Sequence, residues 1–231
     1  MKGFCHFLLD AVFPRRCVSC DSFTGGSLIC DLCSVRLVRA ETAGLLDGPN
    51  EVPVCSPFLT CDVLLDLIRF LKFEGGTAAT GLLGREMSAA LGSFAEEFHD
   101  PVIVPVPLHW TRLARRGYDQ AGLLAAEVSK LTGIPMGRRV LGRRKRTRSQ
   151  SSLDHGSRRG NVRDAFRLRR AESLRGRDVL LVDDLVTTGE TVRACCRVLD
   201  ESGPASLTVL CAGRRRTAKI KVERHDCHMF E

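Results

Sequence analysis

The 231-residue chain is poor in aromatic residues: they make up 6% of it, with one tryptophan, one tyrosine and eleven phenylalanines. Base stacking is therefore a scarce resource, and any grip on a polyanion would be mainly electrostatic. No apolar run reaches the roughly 18 residues that a membrane-crossing helix needs, so no membrane insertion is expected. The first thirteen residues are mildly apolar, but they include His6 and Asp10 and are followed by Pro14-Arg15-Arg16 without a small-residue cleavage site. They read as a short amphipathic helix rather than a signal peptide. Acidic residues are in deficit, 27 against 35 Lys and Arg, which leaves a net charge of +8. That balance favours phosphorylated small molecules or nucleic acid as partners, although a solvated basic surface gives it too. An even cysteine count is also missing. Eleven cysteines, several inside apolar helix and strand patterns, argue against a secreted disulfide framework and for a reducing cytoplasm.

Four of those cysteines stand apart. Cys17-Val18-Ser19-Cys20 is followed after nine residues by Cys30-Asp31-Leu32-Cys33. Two C-x-x-C pairs offer four thiolates to a tetrahedral zinc ion, which would replace the core that so short a segment lacks. The spacer is short, and Gly25-Gly26 would let it turn. A redox pair would not need two such motifs, and simple burial of the thiols is the other alternative. Cys55 and Cys61 read more readily as buried small hydrophobes than as a second metal pair.

The densest signal lies in Asp178-Val179-Leu180-Leu181-Val182-Asp183-Asp184-Leu185-Val186-Thr187-Thr188-Gly189-Glu190-Thr191. An apolar strand runs into two carboxylates, then a hydroxyl-rich loop, a glycine and a helical pattern (Val192, Cys195, Cys196, Val198, Leu199). A helix start presents unpaired N–H groups and a positive dipole end, which suit a phosphate. Asp183 and Asp184 suit ribose hydroxyls or a hard divalent cation. A receiver domain also places two acids after a strand, but there the strand opens the domain, and a threonine loop has no role.

Residues 34 to 54 read as a linker. Helical periodicity follows over Asp62 to Phe73 and from about Ala78 to Phe98. Val102 to Pro107 forms an apolar strand. A basic turn (Arg112, Arg115, Arg116) and a helix stopped by Gly133 and Pro135 come after it. Residues 138 to 170 are arginine-rich and read as a long excursion between strands, with Arg146, Arg148, Gln150, Arg158 and Arg159 as candidates for a lid or a nucleic-acid grip.

The aspartate segment resembles the phosphoribosyl-diphosphate (PRPP) motif of type I phosphoribosyltransferases at Asp183, Asp184, Thr187, Thr188, Gly189 and Thr191. With it in order stand Phe13 to Cys20, Leu71-Lys72-Phe73-Glu74-Gly75, Val104 to His109, Arg115 to Gln120 and the Arg146 to Phe166 pattern. Together these resemble the ComF family, late-competence proteins with a phosphoribosyltransferase-like domain. Two departures stand out. No second Cys pair of the Cys-Pro-x-Cys-Gly kind follows Cys33, and Asp119 replaces the family's usual asparagine.

The resemblance implies an α/β fold, a type I phosphoribosyltransferase-like parallel sheet with helices on both faces, plus a small N-terminal zinc-binding module. The expected boundaries are residues 1–40 for the N-terminal helix and zinc module, 41–61 for a linker, 62–214 for the phosphoribosyltransferase-like domain and 215–231 for a polar tail. The implied ligand is PRPP with Mg2+. Asp183 and Asp184 would serve the ribose in catalysis, and Val186, Thr187, Thr188, Gly189, Glu190 and Thr191 would cradle the 5′-phosphate. Pro107, Leu108, His109, Arg115 and Arg116 would surround the diphosphate, and Cys17, Cys20, Cys30 and Cys33 would hold zinc. Transfer would pass through an oxocarbenium-like state as diphosphate leaves, with the acceptor unidentified. The resemblance also implies a part in DNA uptake, with single-stranded DNA and other competence proteins as partners. Binding DNA without catalysis, or sensing PRPP, are the alternatives.

Overall fold

The computed structural model of the protein describes residues 16–40, 44–46, 51–73, 77–92, 97–108, 110–137, 139–143 and 165–216. In chain order the elements are α1 (Asp31–Ser34), β1 (Gly44–Leu46), β2 (Val52–Cys55), β3 (Phe58–Leu59), α2 (Asp62–Phe73), α3 (Thr77–Gly92), β4 (Pro101–Pro105), α4 (Trp110–Arg116), α5 (Gln120–Thr132), β5 (Leu141–Arg143), β6 (Phe166–Leu168), β7 (Asp178–Val186), α6 (Glu190–Asp200) and β8 (Ser206–Arg214). The main sheet runs β1-β2-β8-β7-β4, with β3 continuing along β8. Every pairing in it is parallel except β1 with β2.

β7 lies between two parallel neighbours, with Leu181 opposite both Val104 and Val209. A strand in that position is covered on both faces, so its sequence is a continuous apolar run, and Val179 to Val182 are all buried. Successive side chains still alternate. Leu180 and Val182 join α2, α3 and α5 in one apolar layer. Val179 and Leu181 join α6 and the small antiparallel hairpin β5-β6 in the other. The 3.6-residue spacing explains each helix: α2 buries Leu64, Leu67, Ile68 and Leu71, and α6 buries Val192, Cys195, Cys196 and Leu199.

Residues 41–61 are not a plain linker. They supply β1, β2 and β3, which extend the main sheet beyond β8. Strands of two to four residues are too short to display alternation, and Gly44 and Pro53 read as breakers. The sheet accommodates Pro53 because β8 pairs with β2 only from Val54 onward. The helix expected to reach Phe98 is described over Thr77–Gly92, and Phe98 is not helical. Among the described residues no helix is long and apolar enough to cross a membrane.

Residues 16–40 pack directly on the main domain. Cys17, Ile29 and Cys33 belong to the same apolar layer as α2 and α3. The Ser19 hydroxyl donates to Asp66 Oδ2 on α2 at 2.8 Å, Arg39 forms an ion pair with Glu86 on α3, and the Arg39 guanidinium lies 4.7 Å from the Phe58 ring centroid.

Candidate functional site

The topology selects one crevice. After β4 the chain passes through α5 on the first face and returns beside the outer edge of β4, where Met136 bridges Ile103 in parallel. After β7 it passes through α6 on the opposite face and returns as β8 on the other side. The chain thus leaves β4 and β7 in opposite directions. The crevice between their carboxyl ends is where open α/β sheets bind ligands.

The loop after β7 lines this crevice. β7 runs on through both aspartates to Val186, so the acids sit inside the strand rather than after it. Thr187 and Thr188 are exposed, and Gly189 caps α6 with φ of 72°. Only glycine adopts that conformation without strain. A Cβ at 189 would also come within 2.6 Å of Leu46 Cδ2 and 3.2 Å of Arg193 Nη1. Arg193 reaches back from α6 and donates to the Thr188 carbonyl at 2.6 Å, which braces the loop. Behind the threonines a cavity of about 40 Å3 is lined by residues that include Leu46, Val186, Arg193, Arg214 and Arg215. The first N–H groups of α6 have no intrahelical acceptor.

Because strand side chains alternate, the two acids serve opposite faces. Asp184 is buried on the α2–α5 side. Lys72, at the last turn of α2, lies 3.0 Å from both of its carboxylate oxygens. Asp183 belongs to the α6 side, and its Oδ1 accepts the Asp184 N–H at 2.8 Å. Burial, and next the negative charge of Asp184, push the Asp183 carboxyl up to about 8, while Lys72 acts in the opposite sense.

On the β4 side, Pro107 and Leu108 are half-buried at the crevice and Arg115 is exposed, whereas His109 lies outside the described residues. Arg116 is engaged within the protein: its guanidinium lies 4.7 Å from the Phe73 ring centroid, and Nη1 donates to Gln120 Oε1 at 2.9 Å. Asp119 stands at the N-cap of α5 in extended backbone, where a short polar side chain is favoured. Its Oδ1 is buried with no hydrogen-bond partner among the described residues. Burial, and to a lesser degree the charge of Asp184, raise its carboxyl above the usual range. A proton or a nearby cation would remove the repulsion that Asp119 offers to a diphosphate. Arg146, Arg148, Gln150, Arg158 and Arg159 lie outside the described residues. The described part of their segment is the hairpin that closes its base, β5-β6.

The sulfurs of Cys17, Cys20, Cys30 and Cys33 all lie within 4.8 Å of one another, and no other group of this kind occurs among the described residues. Metal–sulfur bonds of about 2.3 Å place tetrahedral thiolates at such separations, so the four could hold one metal ion. Hydrogen bonding to Ser22 brings the Cys20 thiol down to about 6, and burial pushes Cys33 up to about 12. Cys55, Cys195, Cys196 and Cys211 are buried with thiols raised by burial, as structural cysteines are.

A parallel sheet with helices on both faces, and an acid-pair strand running into a glycine-capped helix start, define a phosphoribosyltransferase fold. In agreement, residues 93–231 match the family described as phosphoribosyl transferase domain. Relatives narrow this further. The chain is 34% identical over 210 residues to the DNA utilization protein YhgH of Salmonella typhimurium, which covers 80% of this chain and 90% of that protein. It is 38% identical over 108 residues to Competence protein F of Haemophilus influenzae, covering 46% of this chain and 47% of the relative, so that match spans about half of each. It is 24% identical to Competence protein ComFC of Bacillus subtilis over 87% of this chain and 78% of that one. The chain belongs to the ComF family.

Of the sugar-phosphate residues expected from sequence, Asp183, Asp184, Thr187, Thr188, Gly189, Glu190 and Thr191 form one continuous strand end and helix start, facing Pro107 and Leu108 across the crevice. Lys72 was visible only as part of a family element. Its partner lies 112 positions away, and no local pattern connects the two.

Proposed function

We propose that this chain binds PRPP together with Mg2+ in the crevice between β4 and β7, and serves a ComF-type role in handling DNA taken up from outside the cell. The single observation that carries the reading is the loop 187–191. It combines a left-handed glycine that leaves no room for a side chain, exposed threonine hydroxyls, and a helix start that faces the sheet's carboxyl edge. In this reading the backbone N–H groups and hydroxyls of Thr187 to Thr191 take the 5′-phosphate. Asp183 and Asp184 take the ribose hydroxyls, and Pro107, Leu108 and Arg115 border the diphosphate. The orphaned carboxylate oxygen of Asp119 and the neighbouring Asp183 suit a hard cation. When bound, Mg2+ supplies charge neutralisation for the diphosphate. Zinc on Cys17, Cys20, Cys30 and Cys33 acts as a structural ion, and the compartment is the cytoplasm.

The names of the relatives, competence and DNA utilization, support the DNA role. With a net charge of +8 and few aromatics, contact with single-stranded DNA would be electrostatic and would weaken steeply with salt. Calorimetry with PRPP and Mg2+ tests the site. The wild type binds, Asp183→Asn combined with Asp184→Asn lowers affinity by roughly a hundredfold, and single-stranded DNA binding by the same variant stays unchanged. Unchanged PRPP affinity in the double variant would remove the site assignment.

A further inference from the structure

The last turn of α2 is held in place from three directions. The Tyr118 hydroxyl donates to the Leu71 carbonyl at 2.6 Å. The Arg116 guanidinium lies over the Phe73 ring. Between these two anchors, Lys72 crosses to β7 and meets Asp184. Arg116 is the last residue of α4 and Tyr118 follows it, so both anchors come from the end of that helix, on the diphosphate side of the crevice. Leu71, Lys72 and Phe73 therefore tie that stretch to the aspartate strand, and the single tyrosine of the chain secures the tie.

The form of the Lys72–Asp184 contact carries chemical information. The ammonium is 3.0 Å from Oδ1 and 3.0 Å from Oδ2, so it sits across the fork of the carboxylate. A divalent cation gripped by both oxygens would take that same position. Lys72 is only 23% exposed and the Asp184 side chain 13%. Little water reaches the pair, so removing one partner would leave the other's charge uncompensated. Two further carboxyl groups, Asp183 and Asp119, lie near enough to act electrostatically on this cluster.

We propose that Lys72 is the resident cation of Asp184: it occupies the position on that carboxylate that a divalent ion would fill, and so positions Asp184 for a sugar hydroxyl rather than for metal. The division of labour follows from strand alternation. Asp184 faces Lys72, while Asp183 remains on the other side of β7. The place of Lys72 beside the crevice rests on the PRPP reading given above. Its hold on Asp184 does not.

The test uses the zinc-loaded full chain and Mn2+ alone, followed by electron paramagnetic resonance. The wild type shows no Mn2+ uptake that depends on Asp184. Lys72→Gln exposes both carboxylate oxygens and gains an Mn2+ site at least roughly tenfold tighter, and adding Asp184→Asn abolishes it. Lys72→Arg, which keeps the charge, behaves like the wild type, as a merely structural role for the side chain would not require. With PRPP and Mg2+, Lys72→Gln weakens binding roughly tenfold and Lys72→Arg restores it to within about threefold. If Lys72→Gln does not fold, Tyr118→Phe, which removes only the bond to Leu71, gives a smaller gain in Mn2+ affinity in the same direction. Equal Mn2+ uptake by the wild type and the variants overturns the proposal. Absence of PRPP binding by the wild type counts against the functional reading alone, and leaves the Mn2+ comparison decisive for Lys72.

Discussion

At the scale of single residues, two positions carry most of the site's demands. Gly189 answers a backbone requirement and a steric one together. Gly189→Ala would place a side chain at a left-handed φ and within 2.6 Å of Leu46 Cδ2. The expected cost is about 2 kcal/mol of stability, visible as a lower unfolding midpoint in urea, with loss of PRPP binding. Asp183 is the second. Its folded carboxyl is raised to about 8, mainly by burial and then by Asp184. A raised carboxyl means that the folded state holds a proton which the unfolded state gives up near pH 4, so stability falls as the pH climbs from about 4 to about 8. Asp183→Asn should remove that slope. Thermal melting of the ligand-free variant should match the wild type near pH 4 and exceed it near pH 8, by on the order of 1 kcal/mol once solvent access to this half-buried group is allowed for. A variant that gains nothing at the higher pH would show that Asp183 is ionised at no cost.

At the scale of elements, what could be read in advance was what repeats within a window of a dozen residues. β7 and α6 were legible because an uninterrupted apolar run and a 3.6-residue period are local patterns, and the same residues prove buried. The strands β1 to β3 were not, since no periodicity survives in two to four residues and only the β8 edge gives them partners. The Lys72–Asp184 and Tyr118–Leu71 contacts are legible only in three dimensions. The cysteine module lies between these cases: its spacing announced four candidate ligands, and the fold shows what they pack against. Cys17 and Cys33 are part of the layer under α2 and α3, so losing the ion should loosen more than the module itself. Mass spectrometry of the native protein should find one zinc per chain. Cys33→Ser should lose it and melt at lower temperature, whereas Cys61→Ser should keep it. Full zinc retention in Cys33→Ser would place the metal elsewhere.

At the scale of the whole molecule, the sheet sets two loops face to face by sending the chain in opposite directions after β4 and β7. Everything attributed to PRPP depends on that crevice, and in particular on the amides that open α6. The most direct measurement is of those amides, by nuclear magnetic resonance of isotope-labelled protein titrated with PRPP and Mg2+. The account predicts that the largest shifts fall on Asp183 to Thr191, with smaller ones at Pro107-Leu108 neighbours and at Lys72, and that Gly189→Ala abolishes them. Shifts confined to the cysteine module or to the β1–β2 edge, with the 187–191 amides unmoved at saturating ligand, would contradict it.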